Sequence, residues 1–484
     1  MYKYISSLIL FLLLFTAISL HAQLTLPPIL TDNMVLQRNT EVKLWGKSKA
    51  GMQIVVSAGW TKITSRATAD DKGNWLVKVK TFDAGGPFNI NISSGREKVS
   101  LHNIMLGEVW LCSGQSNMDM PIRGYADQPI LGANDELVDA DNNQIRLFTV
   151  NYKGFDSPQD TCSSKYGAWK VASAESVSEF SAVAYFYAKQ LQRKLNIPIG
   201  IITSSWGGSR IEPWISKETI VSFPEAMKQT SDPKLQPQSR YSCLYNGMIY
   251  PLFNYVIKGA IWYQGESNIW TYKGYAELMQ AMVNDWRKGF GVGEFPFYYV
   301  QIAPYFYNNS KALAAAFLRD EQLKAMQLIP NSGMAVTNDL GEEKVIHIAD
   351  KNTVSKRLSY WALEQTYGIK GIRFKAPTYK AMTVKDTIVY IDFNDALNGF
   401  SSFGKIVSCF EIAGEDKVFY PASSQTNRKN QILVWSSKVK IPVAVRYCFH
   451  NFSSSMGFYY NTAGLPLSPF RTDSWEDEGK PAVK

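Results

Sequence analysis

Residues 107–118 read GEVWLCSGQSNM, in which the apolar run Val109-Trp110-Leu111-Cys112 passes directly into Ser113-Gly114-Gln115-Ser116-Asn117. A short apolar run closed by a polar, glycine-containing loop is the pattern of a buried strand that delivers a loop to a surface. The same unit recurs along the chain. Residues 180–195 have helical spacing and close on Asn196-Ile197-Pro198; the strand at 199–203 follows and ends in Ser204-Ser205-Trp206-Gly207-Gly208-Ser209. A third strand, 260–263, ends in Gln264-Gly265-Glu266-Ser267-Asn268. Tyr275, Leu278, Met279, Met282, Val283 and Trp286 then form one apolar helical face, with Gly289 and Gly291 beyond it. A strand at 297–302, a helix at 313–328, a strand at 334–337 ending in Asn338-Asp339-Leu340-Gly341, and a helix marked by Val354, Leu358, Trp361 and Ala362 complete the series. Strand-then-helix alternation predicts an α/β domain with a parallel sheet over 106–368. Ligands bind such sheets at the carboxyl ends of the strands, so the four polar loops should converge on one crevice.

The flanks have a different rhythm. Over 23–105, Val42 and Leu44, Ile54 and Val56, Trp75, Val77 and Val79, and Phe88, Ile90 and Ile92 alternate with period two between turn-forming clusters, which predicts an N-terminal β-sandwich. Strand patterns return at 387–393, 432–435 and 443–449, so 369–484 reads as a C-terminal β-rich segment, either its own module or strands added to the first domain. Residues 1–22, with Lys3, an apolar core at 8–15 and Ala22, read as a signal peptide. The apolar core is too short to span a bilayer, so an exported chain without a membrane span is expected, periplasmic or extracellular.

Composition removes several function classes. The 484 residues are 45% apolar and 19% charged, which excludes a disordered or collagen-like chain and suggests two or three domains. The net charge of +9 is spread thinly, without a run of five basic residues, and gives no reason to expect a nucleic-acid partner. Cys112, Cys162, Cys243, Cys409 and Cys448 contain no CxxC, and His21, His102, His347 and His450 are too scattered to suggest a metal site, so neither metal nor cofactor is expected.

A serine nucleophile fits what is left, and it needs a base to take its proton. His347, just past the fifth strand and before the last helix, stands on the edge of the sheet that carries the loops. Ser116 and Ser267 compete for the nucleophile, each in a Gly-x-Ser-Asn string, and the position of Ser116 after the first strand favours it. The setting is not the Gly-x-Ser-x-Gly elbow of α/β-hydrolases.

The strings GEVWLCSGQSNMDMP (107–121), SSWGGSRIEPW (204–214) and WYQGESN (262–268), with a His after NDLG (338–341), resemble the sialate O-acetylesterase family of SGNH hydrolases. TDNMVLQR (31–38), AVRYCFHN (444–451) and YNTAGLPLSPFRTD (460–473) extend the resemblance over most of the chain. It implies a three-layer α/β/α SGNH-hydrolase core, with Ser116 as nucleophile and His347 as general base. The Ser116 backbone N–H, Gly208 and Asn268 would form the oxyanion hole. It also implies a secreted carbohydrate O-acetylesterase acting on O-acetylated sialic acid or related sugars through an acyl-enzyme, without a cofactor. Acetylxylan or another plant polysaccharide is an alternative substrate, and a non-catalytic glycan-binding protein is an alternative from another class. The positions where the family carries its His-orienting Asp are Lys344 and Val345 here, which leaves Asp339, Glu342 and Glu343 as candidates. Gln115, Gly207, Arg210, Gln264 and Glu266 are candidates to contact substrate, and Trp110, Trp206, Trp214, Trp262, Tyr263, Trp270 and Tyr272 crowd the same loops.

Overall fold

The computed structural model describes residues 23–475; the expected signal peptide lies outside the described residues. Its central sheet runs, in spatial order, Ser332–Ala335, Phe297–Val300, Gly259–Tyr263, Glu97–Gly114, Ile199–Ser205 and Asn142–Thr149, all parallel, with Lys170–Ala172 antiparallel at one edge. Side chains alternate between the faces of a strand, and here both faces are buried. Val109, Leu111, Trp262, Tyr299 and Met334 share a core with the helices Tyr275–Phe290 and Ala314–Leu328. Trp110, Cys112, Ile261, Tyr263 and Val300 share another with Ala182–Leu195 and Lys351–Trp361. That double burial is why these strands read as continuous apolar runs.

The helix ends follow local chemistry. Ser181 Oγ accepts the Ala184 N–H at 3.1 Å to start one helix, and Asn196 ends it at φ 54°. Gly291, at φ 65°, closes Tyr275–Phe290.

The central strand departs from expectation. It is a single strand of 18 residues, Glu97–Gly114, so the expected boundary at 105/106 falls inside it. Its first half pairs antiparallel with Gly85–Ser94 and parallel with Val35–Gln37, and its second half is the middle of the α/β sheet. Gly107, within this strand, is a point of close approach: a Cβ there would lie 2.1 Å from the Pro198 carbonyl oxygen. The N-terminal region has two sheets, Glu41–Lys47 with Asn74–Lys80, and Gln53–Ala58 between Thr64–Thr68 and Gly85–Ser94. Val42, Val77, Ile54 and Ile92 from these sheets belong to the same core as Val109 and Trp286. Asn142–Thr149 is a strand without a continuous apolar signature, because Arg146 interrupts its apolar run. The buried Arg146 guanidinium is satisfied by the Asn143 carbonyl at 2.8 and 3.0 Å.

Beyond residue 377 the chain forms antiparallel sheets, Thr378–Lys385, Ile388–Asn394, Ile432–Trp435 and Ser423–Thr426 in one, and Phe419–Pro421, Phe410–Ala413, Ala444–Tyr447 and Phe470–Arg471 in another. They have their own core around Val389, Ile391, Phe410, Ile412 and Tyr447. Arg471 to Asp320 (2.9 Å) and the Ala315 N–H to Asn451 Oδ1 (2.8 Å) join them to the α/β region. Among the described residues no helix is long and apolar enough to cross a membrane.

Candidate active site

The central strand ends on Gly114, at φ 140°, where a Cβ would lie 2.1 Å from the Tyr263 carbonyl oxygen. Only glycine lets the chain turn so close to its neighbour. Ser116 follows at the start of the short helix Ser116–Asp119 and is half-exposed, while its neighbours Gln115 and Asn117 are buried. Gly207 lies against it, since a Cβ there would be 3.6 Å from Ser116 Cβ; Gly208, at φ 71°, faces open space.

The residues flanking Ser116 tie the loops together. Gln115 Oε1 accepts from Gln264 Nε2 at 3.0 Å and from the backbone N–H groups of Gly265 and Ser267, each at 3.3 Å. Gln264, fully buried, also lies 3.0 Å from the Ser209 carbonyl and 2.9 Å from Asn268 Oδ1, so it joins three of the four loops. Asn117 Nδ2 donates to Glu266 Oε1 at 2.5 Å and to the Ile346 carbonyl at 3.1 Å, which carries the histidine loop to the serine. Side-chain amides therefore draw three of the expected loops together, with the segment before His347. Gln115 and Gln264 brace loops here.

Asn268 is placed differently from the expected oxyanion donor. Its Oδ1 accepts the Ile211 N–H at 3.0 Å, which fixes the amide's orientation, and its Nδ2 is turned to Glu212 at 3.1 and 3.3 Å and to Thr271. With no exposed surface, it braces the loops and presents no free N–H. Burial raises the Glu212 carboxyl above its ordinary range, and the Asn268 bond opposes that shift.

His347 is half-buried. Nδ1 lies 2.7 Å from Gln128 Oε1, and the Tyr125 ring packs edge-on at 5.1 Å and 70°. Burial, then the Lys351 charge, lowers its pKa to about 4. The three candidate acids lie elsewhere. Asp339 uses both oxygens on the Arg357 guanidinium, at 2.7 Å each, and the pair is buried. Glu342 and Glu343 are exposed. None of the three bonds to the imidazole, because buried Arg357 claims the only one that is not in solvent. Among the described residues Ser116 Oγ has no hydrogen-bond partner, His347 included; such bonds commonly tighten only once substrate is bound.

Under the serine lies a set of residues that the sequence did not single out. Lys351, fully buried at the start of its helix, directs Nζ to Asn117 Oδ1 and stands 5.4 Å over the Tyr263 ring. Burial lowers its pKa to about 7, opposed by Glu266. Glu266 is pushed up by burial, and its Oε2 lacks a partner among the described residues. Asp119 accepts from Ser205 Oγ and the Tyr152 hydroxyl, each at 2.8 Å. The only signal for Lys351 was its place four residues after His347.

At the surface, Arg210 is half-buried; its guanidinium makes no hydrogen bond or ion pair among the described residues, and its charge acts on buried Glu212, opposing the rise in that carboxyl's pKa. Trp110, Trp214, Trp262 and Tyr263 are buried core, whereas Trp206 is half-buried beside Tyr152 and Trp270 is 66% exposed. Tyr272 stacks on Phe317 at 5.0 Å. No cluster of His, Cys, Asp or Glu that could hold a metal occurs among the described residues.

The fold is of the α/β class, and its near relatives make it a carbohydrate esterase. It superimposes on the crystal structure of a carbohydrate acetylesterase from Xanthomonas citri with a TM-score of 0.85 and 32% identity, covering 93% of this chain and 100% of that one. Residues 106–360 match the family described as carbohydrate esterase, sialic acid-specific acetylesterase. The chain is 27% identical to the sialate O-acetylesterase of Mus musculus, over 91% of this chain and 92% of that protein. It is 28% identical to the Homo sapiens enzyme, over 91% of each. The chain belongs to this sialic acid-specific acetylesterase family and is an esterase, and the family implies an O-acetylated sugar as substrate.

Proposed function

We propose that the chain is an exported carbohydrate O-acetylesterase with a three-layer SGNH-type core, acting on O-acetylated sialic acid or a related sugar. Its reaction would pass through an acetyl-Ser116 intermediate. The observation that carries this reading is the half-exposed Ser116 at the carboxyl end of the central strand, with Gly207 against it and the His347 loop bonded to the adjacent Asn117 at 3.1 Å. Ser116 Oγ attacks the acetyl carbonyl as its proton passes to His347 Nε2. The oxyanion takes hydrogen bonds from the backbone N–H groups of Ser116 and Gly208, the latter in the loop facing open space. The sugar oxygen leaves with the proton from His347. Water, deprotonated by the same imidazole, then releases acetate and restores the serine.

Two features suit a glycan. Trp270 offers a solvent-facing ring beside the Gln264–Asn268 loop, and the Arg210 guanidinium, which makes no hydrogen bond or ion pair among the described residues, can hold a sugar carboxylate bidentately. The test is acetate release by wild type and Ser116→Ala from O-acetyl sialosides, acetylated xylan and a long-chain aryl ester. Release from the sialoside, abolished by Ser116→Ala, is the expected result. Preference for xylan assigns the plant-polysaccharide substrate instead, and release undiminished in Ser116→Ala refutes the nucleophile.

A further inference from the structure

We propose that Gln128 is the positioning residue for His347, a neutral amide oxygen standing where a carboxylate would be expected. The inference rests on the Ser116–His347 reading. An amide oxygen accepts hydrogen bonds and cannot donate one. With Gln128 Oε1 2.7 Å from Nδ1, the ring proton sits on Nδ1, and Nε2 keeps the lone pair a general base needs.

Gln128 is itself held in place. Tyr125 and Gln128 exchange backbone hydrogen bonds, each 3.1 Å, across a turn in which Asp127 has φ 59°. The Tyr125 ring packs edge-on against the imidazole that Gln128 bonds, and the Tyr125 hydroxyl reaches Asp119 Oδ2 at 3.3 Å and the Ser116 carbonyl at 3.4 Å. One turn therefore sets both the tilt and the tautomer of the ring, and ties it to the nucleophile's own helix. The candidate carboxylates are absent from this position, Asp339 being held by Arg357. The titratable groups around the ring are Lys351 on the following helix, with Glu266 behind it, and Tyr125, with Asp119 behind it.

The substitution has a chemical consequence. A carboxylate would stabilise the imidazolium formed as Ser116 gives up its proton, and an amide oxygen does so through its dipole alone. Burial and the Lys351 charge keep the base neutral, and the amide does not offset them as a carboxylate would, at the cost of weaker support for the charged intermediate.

The experiment measures kcat, KM and pH profiles of aryl-acetate hydrolysis for wild type, Ser116→Ala, Gln128→Ala and Gln128→Glu, with denaturant midpoints as a fold check. Proton transfer to a placed base is worth about 10²–10⁴ in rate. Releasing the ring in Gln128→Ala should lower kcat by about 10- to 100-fold, with KM within about twofold. Gln128→Glu should remain active, with the acidic limb of kcat/KM moved to higher pH by about one unit or more. If Ser116→Ala is inactive while Gln128→Ala keeps wild-type kcat, the role of Gln128 is overturned and the Ser-His reading survives. If Ser116→Ala is active, the reading beneath it fails. Should Gln128→Ala not fold, the glutamate variant decides, and an unmoved acidic limb overturns the proposal.

Discussion

Lys351 gives a prediction whose size can be worked from its surroundings. Its ammonium is fully buried, with Asn117 Oδ1 as hydrogen-bond acceptor, and its pKa falls from 10.5 to about 7. Between those values the unfolded chain holds a proton that the folded chain has released, so stability rises with pH across that window. For a single group with these two pKa values, the gain between pH 7 and pH 9 is about 2 kcal/mol. Lys351→Met removes the titration, along with a pH-independent contribution from the bond to Asn117. The tyrosines and cysteines that also ionise at high pH are shared by both proteins and cancel in the difference. The assay is equilibrium unfolding in guanidinium at pH 7, 8 and 9, comparing midpoints at constant m. Wild type should gain about 2 kcal/mol on the variant over this range. Parallel curves, within about 0.5 kcal/mol, would show that Lys351 keeps an ordinary pKa and that the network under Ser116 carries no strained charge.

Other outcomes follow from single contacts. Asp339→Ala leaves the Arg357 guanidinium buried without its carboxylate and should cost about 3–5 kcal/mol in urea unfolding, while aryl-acetate turnover per folded molecule stays near wild type. Gly114→Ala drives a Cβ into the Tyr263 carbonyl at a backbone angle that L-residues avoid, and should lose more than about 2 kcal/mol of stability together with activity. Trp270→Ala, at a site 66% exposed, should leave the unfolding free energy within about 0.5 kcal/mol of wild type. The same variant should raise KM for an acetylated glycan and leave aryl-acetate KM unchanged. Because the His347 pKa is lowered to about 4, the free-enzyme kcat/KM of wild type should hold as pH falls to about 5 and decline only as the ring protonates below that. A decline centred near 6.5 would mean the imidazole sits in ordinary solvent.

Local patterns in the amino-acid sequence sufficed for five of the six parallel strands of the α/β sheet, the main helices between them, the loops that end those strands and the serine among them. These are written in local patterns: apolar runs of strand length, helical spacing, and glycines where a Cβ would strike a neighbouring carbonyl, as at Gly114. Where a local pattern was interrupted, it failed. Arg146 hid one strand, and the change of rhythm at 105/106 suggested a boundary inside another. Partner choice belonged to the tertiary structure alone. Gln128 and His347 are 219 residues apart, and Asn117 and Lys351 are 234 apart. Nothing in the chain around either member marks the other. Asn268 likewise stood in the loop where an oxyanion donor was expected, and the Ile211 N–H and Glu212 carboxylate turned its amide away. Secondary structure is set by the periodicity of neighbours along the chain, whereas a hydrogen bond is set by which groups the packed sheet brings within 3 Å, and only the folded molecule has that information.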